Sequence, residues 1–445
     1  MPNKVESNSG YPVIEQSNML YRRAQGLIPA FTQTLAKGPQ QYVNGVMPKF
    51  AERAQGARIW DVDGNEFLDF QMAIGPLSLG YADPIVDEAV IRQLKDGITF
   101  SLPHRLEVEV AELIHELIPN AESVRYSKTG ADVTTAAVRL ARAFTGRNKI
   151  MCCGYHGWHD WYISVTDRNS GIPAELANLT YTFDYNRLDL LEQSWDDDVA
   201  CVILEPQVFE APKPGFLQEL KAFCEKKGAL LIFDEMWTGF RLGLGGAQEA
   251  FGVKPDLATY SKAIANGMPI SVLTGRADVM KLLEDRVFFF TTFGGEALSL
   301  AATKATLSEL KRRDVPRYLG RLGSKLKEGY NALAQELAMP YTRVIGYDAR
   351  TMTVFDATAG NALEIKSYVQ QELGKRGILW GGFHNLSAAH TDADVDYLLS
   401  AYRQVLGGLK NGLSAGDLRS RVHGELVAPV FRRTSNFNMK PATKA

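Results

Sequence analysis

The chain of 445 residues has little of what marks a disulfide scaffold or a structural metal centre. Its four cysteines, Cys152, Cys153, Cys201 and Cys224, form no CxxC pair and no metal-ligand spacing. That excludes a zinc ribbon or a stapled secreted module and predicts reduced thiols in a cytoplasmic protein. Charge of one sign is also missing. The formal net charge is −2, which argues against bulk attraction to nucleic acid or to an anionic membrane. Long hydrophobic runs are absent as well: "ACVILEP" and "GALLIFDE" are far too short to span a bilayer. The start, "MPNKVESNSG", carries no apolar core of a signal peptide. There is no internal repeat and no low-complexity tract.

What is present is an ordinary globular composition, 45% apolar and 22% charged, in a chain long enough for two lobes. Residues 1–84 read as a polar arm followed by a hairpin segment. "IWDVDGNEFLDF" alternates apolar residues around Asp63-Gly64, a turn pair that accepts positive φ. Residues 85–310 alternate amphipathic helices with strands that are apolar on both faces, "KIMCCGY", "VACVILEP" and "ALLIFDEM". Such strands predict an α/β domain with a mainly parallel sheet covered by helices on both sides. Residues 311–445 read as a smaller α+β domain, with strands in "TRVIGYDARTMTVFD" and a polar tail after about residue 412.

Ligands of open α/β sheets collect at the carboxyl ends of the strands, and three stretches lie there. "YSKTGAD" reads equally as a plain helix start, with Asp132 in the first turn, or as an anion cradle offering the amides of Gly130 and Ala131. "CCGYHGWHDW" places Tyr155 and His156 directly after a strand end. An aromatic face such as Tyr155 suits a planar ligand, whereas His159 and Trp161 read as a packed corner. "LLIFDEMWTGFR" ends a buried strand on Asp234 and Glu235. A carboxylate there is costly unless paired, and a protonated ring nitrogen would pair it.

Lys262 lies beyond the next short strand, "DLATY", in "YSKAIANGMPIS". Its neighbours Ser261, Ala263, Ala265 and Gly267 are small and leave room for something to approach. A buried lysine loses its proton readily and becomes a nucleophile. Asp234 and Lys262 at adjacent strand ends, with an anion cradle and an aromatic face, describe a pyridoxal 5'-phosphate site.

The linked order "SKTGAD", "GYHGWHD", "EP", "DEMWTGFR", "PDLATYSKAIANGMPI" and "TTFGGEALSLAA" resembles the class III aminotransferases of fold type I, in the glutamate-1-semialdehyde aminomutase branch. The resemblance runs from about residue 57 to about residue 305. It implies that Lys262 bonds to the cofactor and shuttles the proton, and that Asp234 pairs with the pyridine nitrogen. By the same resemblance Tyr155 stacks on the ring and Gly130 and Ala131 bind the phosphate, while His156, directly after the strand end, is a candidate cofactor-binding residue from its position alone. Glu205 lies on the ring's hydroxyl side. Thr292 reaches the phosphate of a second subunit, which implies a homodimer with shared sites.

The departures lie on the substrate side. The Ser-Trp pair of the aminomutases is Ala73-Ile74 here, Gln207 to Glu210 follow "EP", and Glu296 stands in "GGEAL". "TTFGGEALSLAA" is similar to the variant in members that aminate sugars for surface polysaccharides. This implies L-glutamate as amino donor and a sugar-acid aldehyde, of the 8-oxo-3-deoxy-octulosonate kind, as acceptor. The aminomutase reaction and a cyclic keto acid are the alternatives. His104, Arg105, Glu210, Arg241 and Glu296 are the candidate substrate residues; His104, Arg105 and Arg241 read equally as structural or surface ion pairs. A non-enzymatic descendant of the fold would not be expected to keep both Lys262 and Asp234.

Overall fold

The structure, a computed structural model, describes residues 10–428. The polar tail beyond 428 and the first nine residues lie outside them. The chain divides into two compact units, Pro84–Pro316 and a second built from residues 10–83 together with 317–428.

Pro84–Pro316 carries a seven-stranded sheet. Its strands are β1 (Ser123–Ser127), β2 (Lys149–Cys153), β3 (Thr180–Thr182), β4 (Val199–Leu204), β5 (Leu230–Asp234), β6 (Leu257–Tyr260) and β7 (Ser271–Gly275). Their spatial order is β1-β7-β6-β5-β4-β2-β3. Pairings across β3, β2, β4, β5 and β6 are parallel, and β7 alone runs antiparallel, to both β6 and β1. Every residue of β4 and β5 is buried, as two-sided apolar strands require.

The helices that matter for the site are α1 (Pro84–Asp96), α2 (Arg105–Leu117), α3 (Gly130–Thr145), α4 (Phe216–Lys227), α5 (Gly246–Phe251) and α6 (Ala297–Arg312). Helix α3 starts on a capping box, in which Thr129 Oγ1 accepts from the Asp132 amide while the Asp132 side chain accepts from Thr129. It ends at Gly146 with φ +69°. Its inward face, Val133, Ala136, Ala137, Leu140 and Ala141, packs with Ile150, Cys152, Cys201, Ile203 and Ile232 of the sheet. All four cysteines are buried free thiols, and burial raises each thiol above its ordinary value.

The second unit holds the expected hairpin, Arg58–Asp61 antiparallel to Glu66–Asp69, with Gly64 at φ +87° in its turn. Ile378–Leu379 extends that sheet in parallel. Thr342–Tyr347, Arg350–Phe355 and Phe383–Asn385 form an antiparallel three-stranded sheet, accompanied by the helices Ala362–Lys375 and Asp392–Ala415. Residues 10–83 therefore pack with the C-terminal segment. None of the helices among the described residues is long and apolar enough to cross a membrane.

Candidate active site

Asp234 is the last residue of β5 and is 1% exposed. A bare carboxylate there would be unstable, and two donors hold it. His156 Nδ1–H donates to Oδ2 at 2.8 Å, and the Met236 amide donates to Oδ1 at 3.1 Å. His156 comes from the loop after β2, a strand that is not adjacent to β5. Its own place is set by Thr134 of α3, whose hydroxyl donates to the His156 carbonyl, and by the parallel ring of Trp161. His156 is thus a brace for Asp234 inside the core.

In the β5–β6 register Asp234 faces Thr259, so Lys262 sits just past the end of β6, one strand over. The chain turns sharply there. Ser261 is extended with its hydroxyl donating to the Ile270 carbonyl, and Lys262 adopts φ +45°. A left-handed lysine costs about 1 kcal/mol or more and is kept only where the surroundings over-determine it. The buried Ala263, Ile264 and Ala265 that follow do so. Lys262 Nζ lies 3.4 Å from the centroid of the Trp237 ring.

The strand before α3 is β1, and the first-turn amides of Gly130 and Ala131 have no intrahelical acceptor. Met236 crowds this point: a Cβ on Gly130 would lie 2.9 Å from its sulfur. The loop after β2 closes over the same place. Gly157, at φ +103°, has no room for a side chain because a Cβ would come within 2.7 Å of Ala131 Cβ. Glu205, just past the end of β4, is 7% exposed and accepts from the Tyr155 amide at 2.9 Å. The Tyr155 ring above this loop is 45% exposed and meets Tyr162 edge-on.

The strand ends therefore gather Asp234, His156, Lys262, Glu205, Tyr155, Gly130 and Ala131, all expected from the sequence. Glu235 turns the other way. It accepts from the Thr238 hydroxyl and from the Ala247 and Gln248 amides at the start of α5. Burial pushes its carboxyl up to about 7.

The five candidate substrate residues fare differently. His104 caps α2, its ring accepting from the Leu106 amide, and Glu296 caps α6 while pairing with Lys128 at 2.7 Å. Arg105 lies exposed on α2 against Glu109. Arg241 is 2% exposed, and Glu210 accepts from the Asn186 side chain at 3.3 Å. For His104 and Glu296 local folding duties account for the side chain, and for Arg105 the surface ion pair does. Thr292 is exposed in a segment with Phe288, Phe290 and Phe293, also exposed. Trp237 escaped the sequence reading; its one signal was a large aromatic three residues after Asp234, in a turn otherwise built for tight packing.

This site fits pyridoxal phosphate. It offers a primary amine, a braced buried carboxylate, a helix start with open amides and the partly exposed ring of Tyr155. The sequence pattern of the class III aminotransferases matches residues 40–389. The chain belongs to the class III aminotransferases. Members of this family use pyridoxal phosphate, and the protein is an enzyme of this kind. It is 35% identical over 412 residues to the 3-aminobutyryl-CoA aminotransferase of Cloacimonas acidaminovorans, covering 90% of this chain and 99% of that one. It is 34% identical over 419 residues to the glutamate-1-semialdehyde 2,1-aminomutase 2 of Exiguobacterium sibiricum, covering 87% and 95%. Among solved structures, the FumI protein of Sphingopyxis sp. MTA144, in its PLP internal aldimine form, matches with a TM-score of 0.82 and 28% identity over 90% of this chain and 97% of that one. The mainly parallel sheet is accordingly that of a fold type I transferase.

Proposed function

We propose that this aminotransferase moves the amino group of L-glutamate to the aldehyde of a hydroxylated sugar acid, of the 8-oxo-3-deoxy-octulosonate kind, in two half-reactions. The observation that carries the acceptor class is a cavity of about 560 Å³ in the unit of residues 10–83 and 317–428. Ala73 and Ile74, the pair that departs from the aminomutase pattern, both line it. So do Lys37, Lys49, Tyr42, Gln71 and Tyr81. Buried Asp69 orders two of these, accepting from the Tyr81 hydroxyl at 2.6 Å and the Gln71 amide at 2.6 Å. Met72, Ala73 and Ile74 hold φ of +44°, +53° and +68°, a strained run of the sort found where a ligand is held. Lysines suit a carboxylate, and hydroxyls and an amide suit a polyol.

Bound pyridoxal phosphate supplies an aldehyde that takes up an amino group and a ring that withdraws electrons from the carbon bearing it. In this reading Lys262 holds the cofactor, takes the proton from the donor's α-carbon and returns it. Asp234, braced by His156, keeps the ring nitrogen protonated. The Gly130 and Ala131 amides hold the phosphate, Tyr155 covers one ring face, and Glu205 stands on the hydroxyl side. A second copy would add Thr292. The exposed Phe288, Phe290 and Phe293 around it support a homodimer, since soluble chains seldom leave such aromatic clusters in water.

The aminomutase reaction is the second reading, favoured by the 34% identity to proteins of that name. One experiment separates the two. Purified enzyme is given L-glutamate, release of 2-oxoglutarate is followed, and acceptors are then compared. The panel is a sugar-acid aldehyde, a cyclic keto acid, and glutamate-1-semialdehyde, with 3-aminobutyryl-CoA as a rival donor. The expected result is glutamate-dependent amination with the highest kcat/KM for the sugar acid. Efficient isomerisation of the semialdehyde without added glutamate would replace the proposal with the aminomutase reading.

A further inference from the structure

We propose that the far end of α3 carries a second binding site, for an anion bearing two or more phosphates. The site is a groove of about 510 Å³ whose lining includes Arg139, Arg142, Arg147, Arg286 and Asn148. It lies at the opposite end of the helix from Gly130 and Ala131. The helix has 16 residues, and at about 1.5 Å each they separate the two places by about 24 Å. The groove is therefore not the amide cradle read above as the cofactor's phosphate site.

Local rules gather these cations. Arg139 and Arg142 are three apart on α3 and share a face. Gly146, at φ +69°, ends the helix, and Arg147 follows at once. Arg286 arrives from the segment after β7. Backbone carbonyls seat three of the four. Arg139 Nη1 donates to Phe288 at 2.8 Å, Arg142 Nε to Asn148 at 2.7 Å, and Arg147 Nη1 to Val199 and Lys227 at 3.1 and 2.8 Å. Each guanidinium has five N–H groups, so each of these three keeps most of its donors and Arg286 keeps all of its own.

No carboxylate lines the groove. Arginines elsewhere in the chain are answered differently: Arg58 meets Glu66 and Asp394, Arg276 meets Asp256 and Asp278, and Arg312 and Arg313 meet Glu309. Asp198, outside the lining, accepts from the amide and the side chain of Asn148. Among the described residues, then, four like charges share one concavity without a counter-charge in it, which costs stability until an anion arrives. Guanidinium forks match phosphate oxygens in pairs, and four forks exceed what one phosphate can fill. Phe288 serves the groove through its carbonyl alone; its ring belongs to the face assigned above to a second copy.

The test is calorimetric titration of the full-length enzyme, saturated with pyridoxal phosphate, with pyrophosphate, ADP and adenosine. Pyrophosphate and ADP should bind once per chain, more weakly as salt rises, and adenosine should not bind. Tighter binding of ADP than of pyrophosphate identifies a nucleotide as the source of the phosphates; equal or weaker binding identifies free phosphates. Arg142→Gln and Arg286→Gln should each weaken binding roughly ten- to a hundredfold, the scale of one hydrogen-bonded charged group, and leave the half-reaction with L-glutamate unchanged. Arg286 makes no side-chain contact that the fold needs, so its variant decides the matter should Arg142→Gln fail to fold. Absence of binding by both phosphate probes, or binding that neither substitution weakens, would overturn the proposal. So would dissociation of Arg286→Gln into monomers in sedimentation, which would give the groove to a second copy of the chain.

Discussion

His156 Nδ1 lies 2.8 Å from Asp234 Oδ2, with both side chains shut away from solvent. The two residues come from strands separated in the sheet by β4. The contact gives Asp234 a fixed direction, and a fixed buried carboxylate is what an electron-withdrawing ring nitrogen requires.

Asp234→Asn should slow proton transfer sharply while leaving cofactor affinity less affected, because in the proposed site the start of α3 would still hold the phosphate. His156→Ala should be milder. Losing one hydrogen bond to a charged group is worth about 1.5 to 3 kcal/mol, or ten- to a hundredfold in rate. Single-turnover kinetics with L-glutamate measure both. Near wild-type rates in Asp234→Asn would mean that the ring nitrogen has another partner.

Lys262→Ala should bind pyridoxal phosphate without a covalent link and lose turnover by several orders of magnitude. Borohydride reduction followed by peptide mass analysis checks this. Wild-type label on Lys262, absent from the variant, is the expected pattern.

If Thr292 reaches the cofactor of a second copy as proposed, Thr292→Ala should raise the cofactor's dissociation constant tenfold or more, on the same scale for one lost hydrogen bond to a charged group, and leave the proposed dimer intact. Equilibrium dialysis and sedimentation read the two properties separately. A fully active monomer would rule out a shared site.

Glu235 makes the fold sensitive to pH. Its carboxyl, ordinarily at 4.5, is pushed up to about 7 by burial, against the pull of its hydrogen-bond donors. The native state then holds a proton that the unfolded chain releases. The sign is that stabilisation is full below about pH 4.5 and is lost as pH rises through about 7. Its size is about 3 kcal/mol. Urea midpoints at pH 5 and pH 8 should show the wild type losing stability and Glu235→Gln losing much less. Equal slopes in the two proteins would show that Glu235 is ionised throughout.

The large domain was legible in the sequence because its signals are local and repeated. Strands β2, β4 and β5 are apolar on both faces, the helices between them keep a clear period, and Gly146 sits where a left-handed helix end falls. Lys262 and Asp234 were legible for a related reason: each ends a short apolar strand, and strand ends of such a sheet meet at one edge. β7 was not read as a strand, because a short run antiparallel to both its neighbours has no signature distinct from a loop of mixed polarity.

Chemistry at the ends of strands was thus written into the chain, but the partner of each group was not. That His156 braces Asp234, that Trp237 faces Lys262, and that Glu296 and His104 serve as helix caps are long-range or geometric outcomes. A carboxylate reads alike in a sequence whether it will meet a substrate hydroxyl or a helix amide. Only packing decides which donor arrives first, because hydrogen bonds form with whatever the folded backbone brings within 3 Å.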